Sequence, residues 1–261
     1  MSYLYFLRRL HDVLDAPTYL EIGIRYGDSL ALSHSRNVAI DPDFELQTEI
    51  PAGTALFRET SDEYFDRADP LEPLGGRPVS FAFIDGMHLV EFALRDFINV
   101  ERNSHWTGVV VFDDILPRDL DEAARNRRTR AWAGDVYKID EILARHRPDL
   151  IRLRVGTHPT GLLLVLGLDP DSSVLDDRYD DIIREAVVPD PQRVPPQVVA
   201  RRGALDPEAV LAAPFWGVLR ELREHDVPRQ QGVRRLRRAV RKDLGPPIML
   251  RPLRRLMPAR A

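Results

Sequence analysis

Apolar residues gather along the chain in short runs that alternate with amphipathic stretches. The first run, residues 18–22 (TYLEI), ends in a glycine-rich turn. Residues 37–40 (NVAI), 79–84 (VSFAFI) and 108–112 (GVVVF) follow, and end at Asp41-Pro42, Asp85-Gly86 and Asp113-Asp114. Their continuous β-branched and aromatic content predicts strands buried on both faces, as in a parallel sheet. Between them, residues 89–103 and 135–147 carry helical spacing, the second stopped by Pro148. Residues 150–155 and 161–168 then predict two strands, and no helix fits in the short turn between them. They form a hairpin. The pattern as a whole predicts a mostly parallel α/β sheet that closes on an antiparallel hairpin.

Residues 1–14 place Tyr, Phe and Leu at helical spacing ahead of Arg8 and Arg9. A signal peptide puts its charge first, so residues 1–16 read as a leading helix. No apolar run approaches the roughly 18 residues of a membrane span, and the protein is expected in the cytoplasm. After residue 170 the pattern changes. Residues 187–196 hold four prolines in ten positions and predict a linker or extended arm. Residues 206–226 predict helix interrupted near Pro214, and 233–244 set Val233, Leu236, Val240 and Leu244 at helical spacing. We therefore divide the chain into a domain of residues 1–170 and an extension of residues 171–261.

Composition narrows the chemistry. Hydrophobic residues make up 44% of the 261, enough for a full core. There is no cysteine, which excludes disulfides, thiolate zinc sites and cysteine nucleophiles. Any metal must sit on oxygen or imidazole. The net charge of −4 conceals a basic tail, Arg229 onward, on an acidic body. That tail reads as a solvated segment, an amphipathic helix on an anionic membrane, or a docking element for an acidic partner surface, including a second copy of the body. The acidic body argues against nucleic acid, and the tail lacks the aromatic interleaving of single-strand binders. The long C-terminal arm points to a homo-oligomer.

The candidate site residues lie at the strand ends. The turn after the first strand spaces Gly23 and Gly27 as G-x-x-x-G, not as the dinucleotide G-x-G-x-x-G. Glu21 precedes it and can reach the ammonium of an amino-acid ligand. Asp41, at the tip of the second strand, suits a ribose diol. Asp85, Asp113 and Asp114 end two further strands. In an open α/β sheet such ends line the ligand crevice. Clustered carboxylates repel unless a cation or protons neutralise them, so the three suit Mg²⁺ or a similar ion. The competing reading for each acid is a helix cap or loop anchor. His88, three residues after Asp85, is a candidate general base.

These residues carry a resemblance. Tyr19 to Gly23 with Gly27-Asp28-Ser29 resembles the first motif of class I S-adenosylmethionine (SAM) dependent methyltransferases. Phe83-Ile84-Asp85-Gly86-Met87-His88, with Asp96 downstream, is similar to the IDGxH signature of a small-molecule O-methyltransferase family. That family includes macrocin and rhamnosyl O-methyltransferases and cephalosporin hydroxylase-like proteins. Val111 to Asp114 and Gly134 to Lys138 look like further shared segments. The resemblance covers residues 17–168. It implies a Rossmann-like fold with a seven-stranded sheet, with Glu21, Gly23 and Ser29 on the methionine part of SAM. It implies Asp41 on the ribose and Ser61 and Asp62 near the adenine. It further implies Mg²⁺ on Asp85, Asp113 and Asp114, His88 as base, and a small-molecule hydroxyl acceptor such as a sugar, glycoside or other natural product. Met87 stands where many relatives carry an acid. A metal-independent methyltransferase and a non-catalytic SAM-fold binding or assembly protein remain open alternatives.

Overall fold

The structure, a computed structural model, describes residues 1–245. Seven strands form one sheet: β1 (Thr18–Ile22), β2 (Arg36–Ile40), β3 (Ala55–Phe57), β4 (Val79–Ile84), β5 (Ser104–Phe112), β6 (Ile151–Val155) and β7 (Leu162–Leu166). Their spatial order is β3-β2-β1-β4-β5-β7-β6. All pairings through β5 are parallel, and β7 runs antiparallel to both β5 and β6. This is the mostly parallel sheet closed by an antiparallel hairpin that the sequence pattern predicts. β3 gives no signal in the sequence. It is three residues long, half-buried throughout and at the sheet edge, so no periodicity can develop.

The helices are α1 (Tyr3–Leu14), α2 (Ser61–Phe65), α3 (Val90–Arg102), α4 (Lys138–His146), α5 (Tyr179–Ala186), α6 (Pro196–Val199), α7 (Pro207–Leu211), α8 (Phe215–Glu224) and α9 (Arg229–Leu244). Strand residues alternate between two faces. Leu20, Val38, Ala82 and Val110 face a cluster that contains Phe97 of α3 and Leu143 of α4. Tyr19, Ala39, Phe81 and Val109 face a second cluster with Phe6 of α1, Phe215 of α8 and Leu236 of α9.

The connection from β1 to β2 carries only a short 3₁₀ turn, Leu30–Leu32. Helical cover for that face therefore comes from the two ends of the chain. The basic helix α9 turns Val233, Leu236 and Val240 inward, and all three are buried. Burial of each such side chain is worth about 1.5–3 kcal/mol. Gly232 lets the helix close on the sheet, because a Cβ there would overlap the Trp106 ring. Arg229 ties the start of α9 to Asp149 and Asp169. Thus residues 229–244 dock on the body through their apolar side. The rest of the basic tail, residues 246–261, lies outside the described residues. Among those described, no helix is long and apolar enough to cross a membrane. The proline-rich arm is anchored too. Asp190 accepts the backbone N–H groups of Arg125 and Asn126, and the buried Gln192 accepts from Lys138 Nζ.

Candidate functional site

Parallel register brings the candidate residues to one level. Ile22 pairs with Ile40 and with Ile84, and Ile84 with Phe112. Gly23, Asp41, Asp85 and Asp113, each one residue further on, therefore leave the sheet side by side. Gly23 has φ +84° and a Cβ on it would run into the Asp85 carbonyl, so only glycine lets the ends of β1 and β4 close together.

Glu21 is fully buried. It accepts hydrogen bonds from the Tyr19 hydroxyl at 2.8 Å and from Ser29. Burial pushes its carboxyl up to about 7 against the pull of those two hydroxyls. Asp85 is driven well above the usual carboxylate range by burial, then by Asp113 and Asp114. Burial and Asp114 likewise push Asp113 up to about 8. Asp113 accepts from the Asp114 N–H at 2.7 Å and from the Thr160 hydroxyl at 3.2 Å.

The expected trio was Asp85, Asp113 and Asp114. The structure brings Asp85, His88 and Asp114 together, with one ligand atom from each within 4.8 Å of the others, and Asp113 lines the same cleft. Asp114 sits in the left-handed region at φ 64° and meets His88 Nδ1 through Oδ2. Burial acts against the imidazolium, but the contact with Asp114 outweighs it and raises the pKa of His88. The donor set of two carboxylates and one imidazole fits a divalent cation. Its nitrogen ligand suits Mn²⁺ or Zn²⁺ better than Mg²⁺.

The other candidates are engaged in the fold. One oxygen of Asp41 accepts the N–H groups of Ile24 and Arg25, both at 2.9 Å, and the other that of Asp43 at 2.7 Å. Its carboxylate thereby holds the glycine turn. The segment after it lies along the turn, with Glu45 N–H on the Arg25 carbonyl and Gln47 N–H on that of Tyr26. Gly27, at φ +86°, has Leu46 and Ile50 beside the position a Cβ would take. Ser61 donates to the buried Asp96, and Asp62 pairs with Arg95 at 2.8 Å. These two residues begin α2 and face α3.

Two features had no role assigned from the sequence: Tyr3, and the Gly134-Asp135 pair of the segment already singled out. Tyr3, on α1, stacks on Phe83 with ring centroids 6.5 Å apart. Burial, and then the charges of Asp85, Asp113, Asp28 and Glu21, push its phenol up and hold it protonated. The helical spacing marked Tyr3 only as a core position. The second feature lies behind His88. Asp135 accepts the N–H of Val90, the first residue of α3, and salt-bridges Arg125 and Lys138. Gly134 presses on the His88 backbone, where a Cβ would overlap the carbonyl. The cleft lined by Asp85, Gly86, His88, Asp113 and Asp114 measures about 10 Å³, room for about one water.

No protein family and no curated protein matches the sequence. Solved structures match over 62% of the chain. One is an O-methyltransferase from Bacillus cereus in complex with SAH, at 17% identity, TM-score 0.43 and 80% of that chain. A second is the O-methyltransferase TomG from Streptomyces achromogenes, involved in tomaymycin synthesis, in complex with SAM, at 22%, 0.41 and 77%. A third is the SAH-bound Podospora anserina methyltransferase PaMTH1, at 12%, 0.43 and 76%.

Proposed function

We propose that this chain is a SAM-dependent O-methyltransferase acting on a small-molecule hydroxyl. One observation carries the reading. A glycine turn and the carboxyl groups of Glu21, Asp85, Asp113 and Asp114 converge at the ends of β1, β4 and β5. Burial and mutual repulsion raise the pKa of Glu21, Asp85 and Asp113. Such a crevice favours a cationic ligand and repels a pyrophosphate. SAM brings a sulfonium and an ammonium, which NAD does not.

His88 and Asp114 supply the proton acceptor. With Nδ1–H donated to Asp114, Nε2 is left as the basic nitrogen. It would take the proton of the acceptor hydroxyl as the oxygen attacks the methyl carbon. That carbon's bond to sulfur breaks, and the electron pair leaves on sulfur. Holding the two reactants in line supplies much of the acceleration.

The cluster Asp85, His88 and Asp114 favours a second reading, in which these residues hold a divalent cation. A cation there would lower the pKa of the acceptor hydroxyl. His88 would then be a ligand, and proton removal would fall to solvent.

Calorimetric titration of SAM, with Mn²⁺ or Mg²⁺ and then with EDTA, tests both. SAM binding in the micromolar range supports the methyltransferase. Absence of binding under every condition removes it. Methyl transfer to a diol that survives EDTA selects the His88–Asp114 base, and transfer lost with EDTA selects the cation.

A further inference from the structure

Beside His88 runs an irregular loop of unusual charge. Residues 125–132 read RNRRTRAW. The loop is built rather than loose. Its two ends meet where the Glu122 carbonyl accepts the N–H groups of both Ala133 and Gly134. Trp132 Nε1 donates to the Ala124 carbonyl at 2.6 Å. That bond sets the indole against the imidazole of His88, with ring centroids 5.1 Å apart and planes at 38°.

The arginines of the loop divide into two groups. Arg125 is consumed by Glu91 and Asp135, and Arg128 lies 3.6 Å from Asp121. Arg127 and Arg130 are exposed. Arg127 donates only to the carbonyls of Thr129 and Arg130, at 3.3 and 2.8 Å, which leaves its charge uncompensated. Nearby carboxylates are committed elsewhere: Glu122 to Arg118, Asp190 to the N–H groups of Arg125 and Asn126. An acidic body thus carries, in the loop whose Trp132 packs against His88, two cations that meet no carboxylate among the described residues.

We infer that the loop selects the acceptor: a ring carrying a hydroxyl and an anionic group, carboxylate or phosphate. The ring would stack on Trp132, its hydroxyl would face His88, and Arg127 with Arg130 would hold the anion. A guanidinium pairs with either anion through two parallel N–H bonds, so the loop chemistry is common to both. This inference rests on the methyltransferase reading for the word acceptor.

The test is quenching of tryptophan fluorescence in the full chain by two matched pairs, 3,4-dihydroxybenzoate against catechol and glucose 6-phosphate against glucose. The W132F variant identifies the reporting ring. A charged–polar contact predicts that the anionic member of at least one pair binds about tenfold or more tightly than its neutral partner. The pair that shows the preference tells carboxylate from phosphate. R127Q/R130Q, two exposed changes, should erase the preference and leave the SAM calorimetry trace unchanged. Equal binding of charged and neutral members in both pairs, or a preference that survives R127Q/R130Q, overturns the inference. A flat SAM trace beside an intact anion preference sinks the methyltransferase reading alone.

Discussion

The imidazole of His88 meets the carboxylate of Asp114 through Nδ1, which joins the loop after β4 to the end of β5. Asp114 both orients the ring and raises its pKa above the ordinary 6.5. If His88 is the base, as proposed, it must be unprotonated, so methyl transfer should fall as pH drops through a value above 6.5. D114N should move that acid limb to lower pH. H88Q should cost about 10²- to 10⁴-fold in rate. Rate–pH profiles of the three proteins check this, and an unmoved limb in D114N would show that the pair does not titrate as a unit.

Gly134 supports His88 from behind. It has φ 56°, and a Cβ would overlap the His88 carbonyl. G134A should therefore cost about 1–3 kcal/mol of stability through backbone strain alone. Urea denaturation measures this. A variant as stable as the wild type would mean that the two backbones separate freely.

His11 is buried between Tyr19 and Phe81, with ring centroids 4.7 Å from each. Its Nε2 has no hydrogen-bond partner. Burial drops its pKa to about 3. The unfolded chain takes up this proton near pH 6.5 and the folded chain does not. Stability from His11 is thus present above pH 6.5 and falls with pH below it, by about 1.4 kcal/mol per unit at most. The gap between wild type and H11L should shift toward the variant from pH 6.5 to 4.5. Chemical denaturation at both values decides, and a gap independent of pH refutes the assignment.

Asp113 carries the opposite sign. Its folded pKa of about 8 lies far above the ordinary 3.8. The folded chain holds a proton that the unfolded chain releases, so stability falls as pH rises through that window. D113N removes the loss and keeps an acceptor for the Asp114 N–H. It should melt higher than the wild type at pH 8.5 and by a smaller margin at pH 5. Thermal melts at the two values check the sign.

The glycine turn is held by the Asp41 carboxylate and by the amides of Glu45 and Gln47. In the proposed reading SAM would rest against this turn, at the carboxyl ends of β1 and β2. SAM should therefore change hydrogen exchange at Glu45 and Gln47 and leave the interior of β4 unchanged. Exchange mass spectrometry reads both segments. An unchanged 41–50 segment in saturated protein would mean that the ligand enters elsewhere.

The sequence determined six of the seven strands and the chemistry-bearing edge of the sheet. Strands buried on both faces leave continuous apolar runs, and each run stops at the residue that reaches the crevice, as at Asp85 and Asp113. The antiparallel close was equally legible, because the six residues between β6 and β7 leave no room for a crossover helix. Tertiary structure alone decided which acids meet. Asp113 and Asp114 are adjacent in sequence and line one cleft, but they take different partners, Asp113 the Thr160 hydroxyl and Asp114, at a left-handed backbone position, the His88 ring. It also brought in Tyr3 and Asp135 from distant segments, and turned the apolar side of α9 onto the sheet. A helix stripe shows in sequence that a face will be buried; what buries it depends on which parts of the chain meet in space, and that is a property of packing.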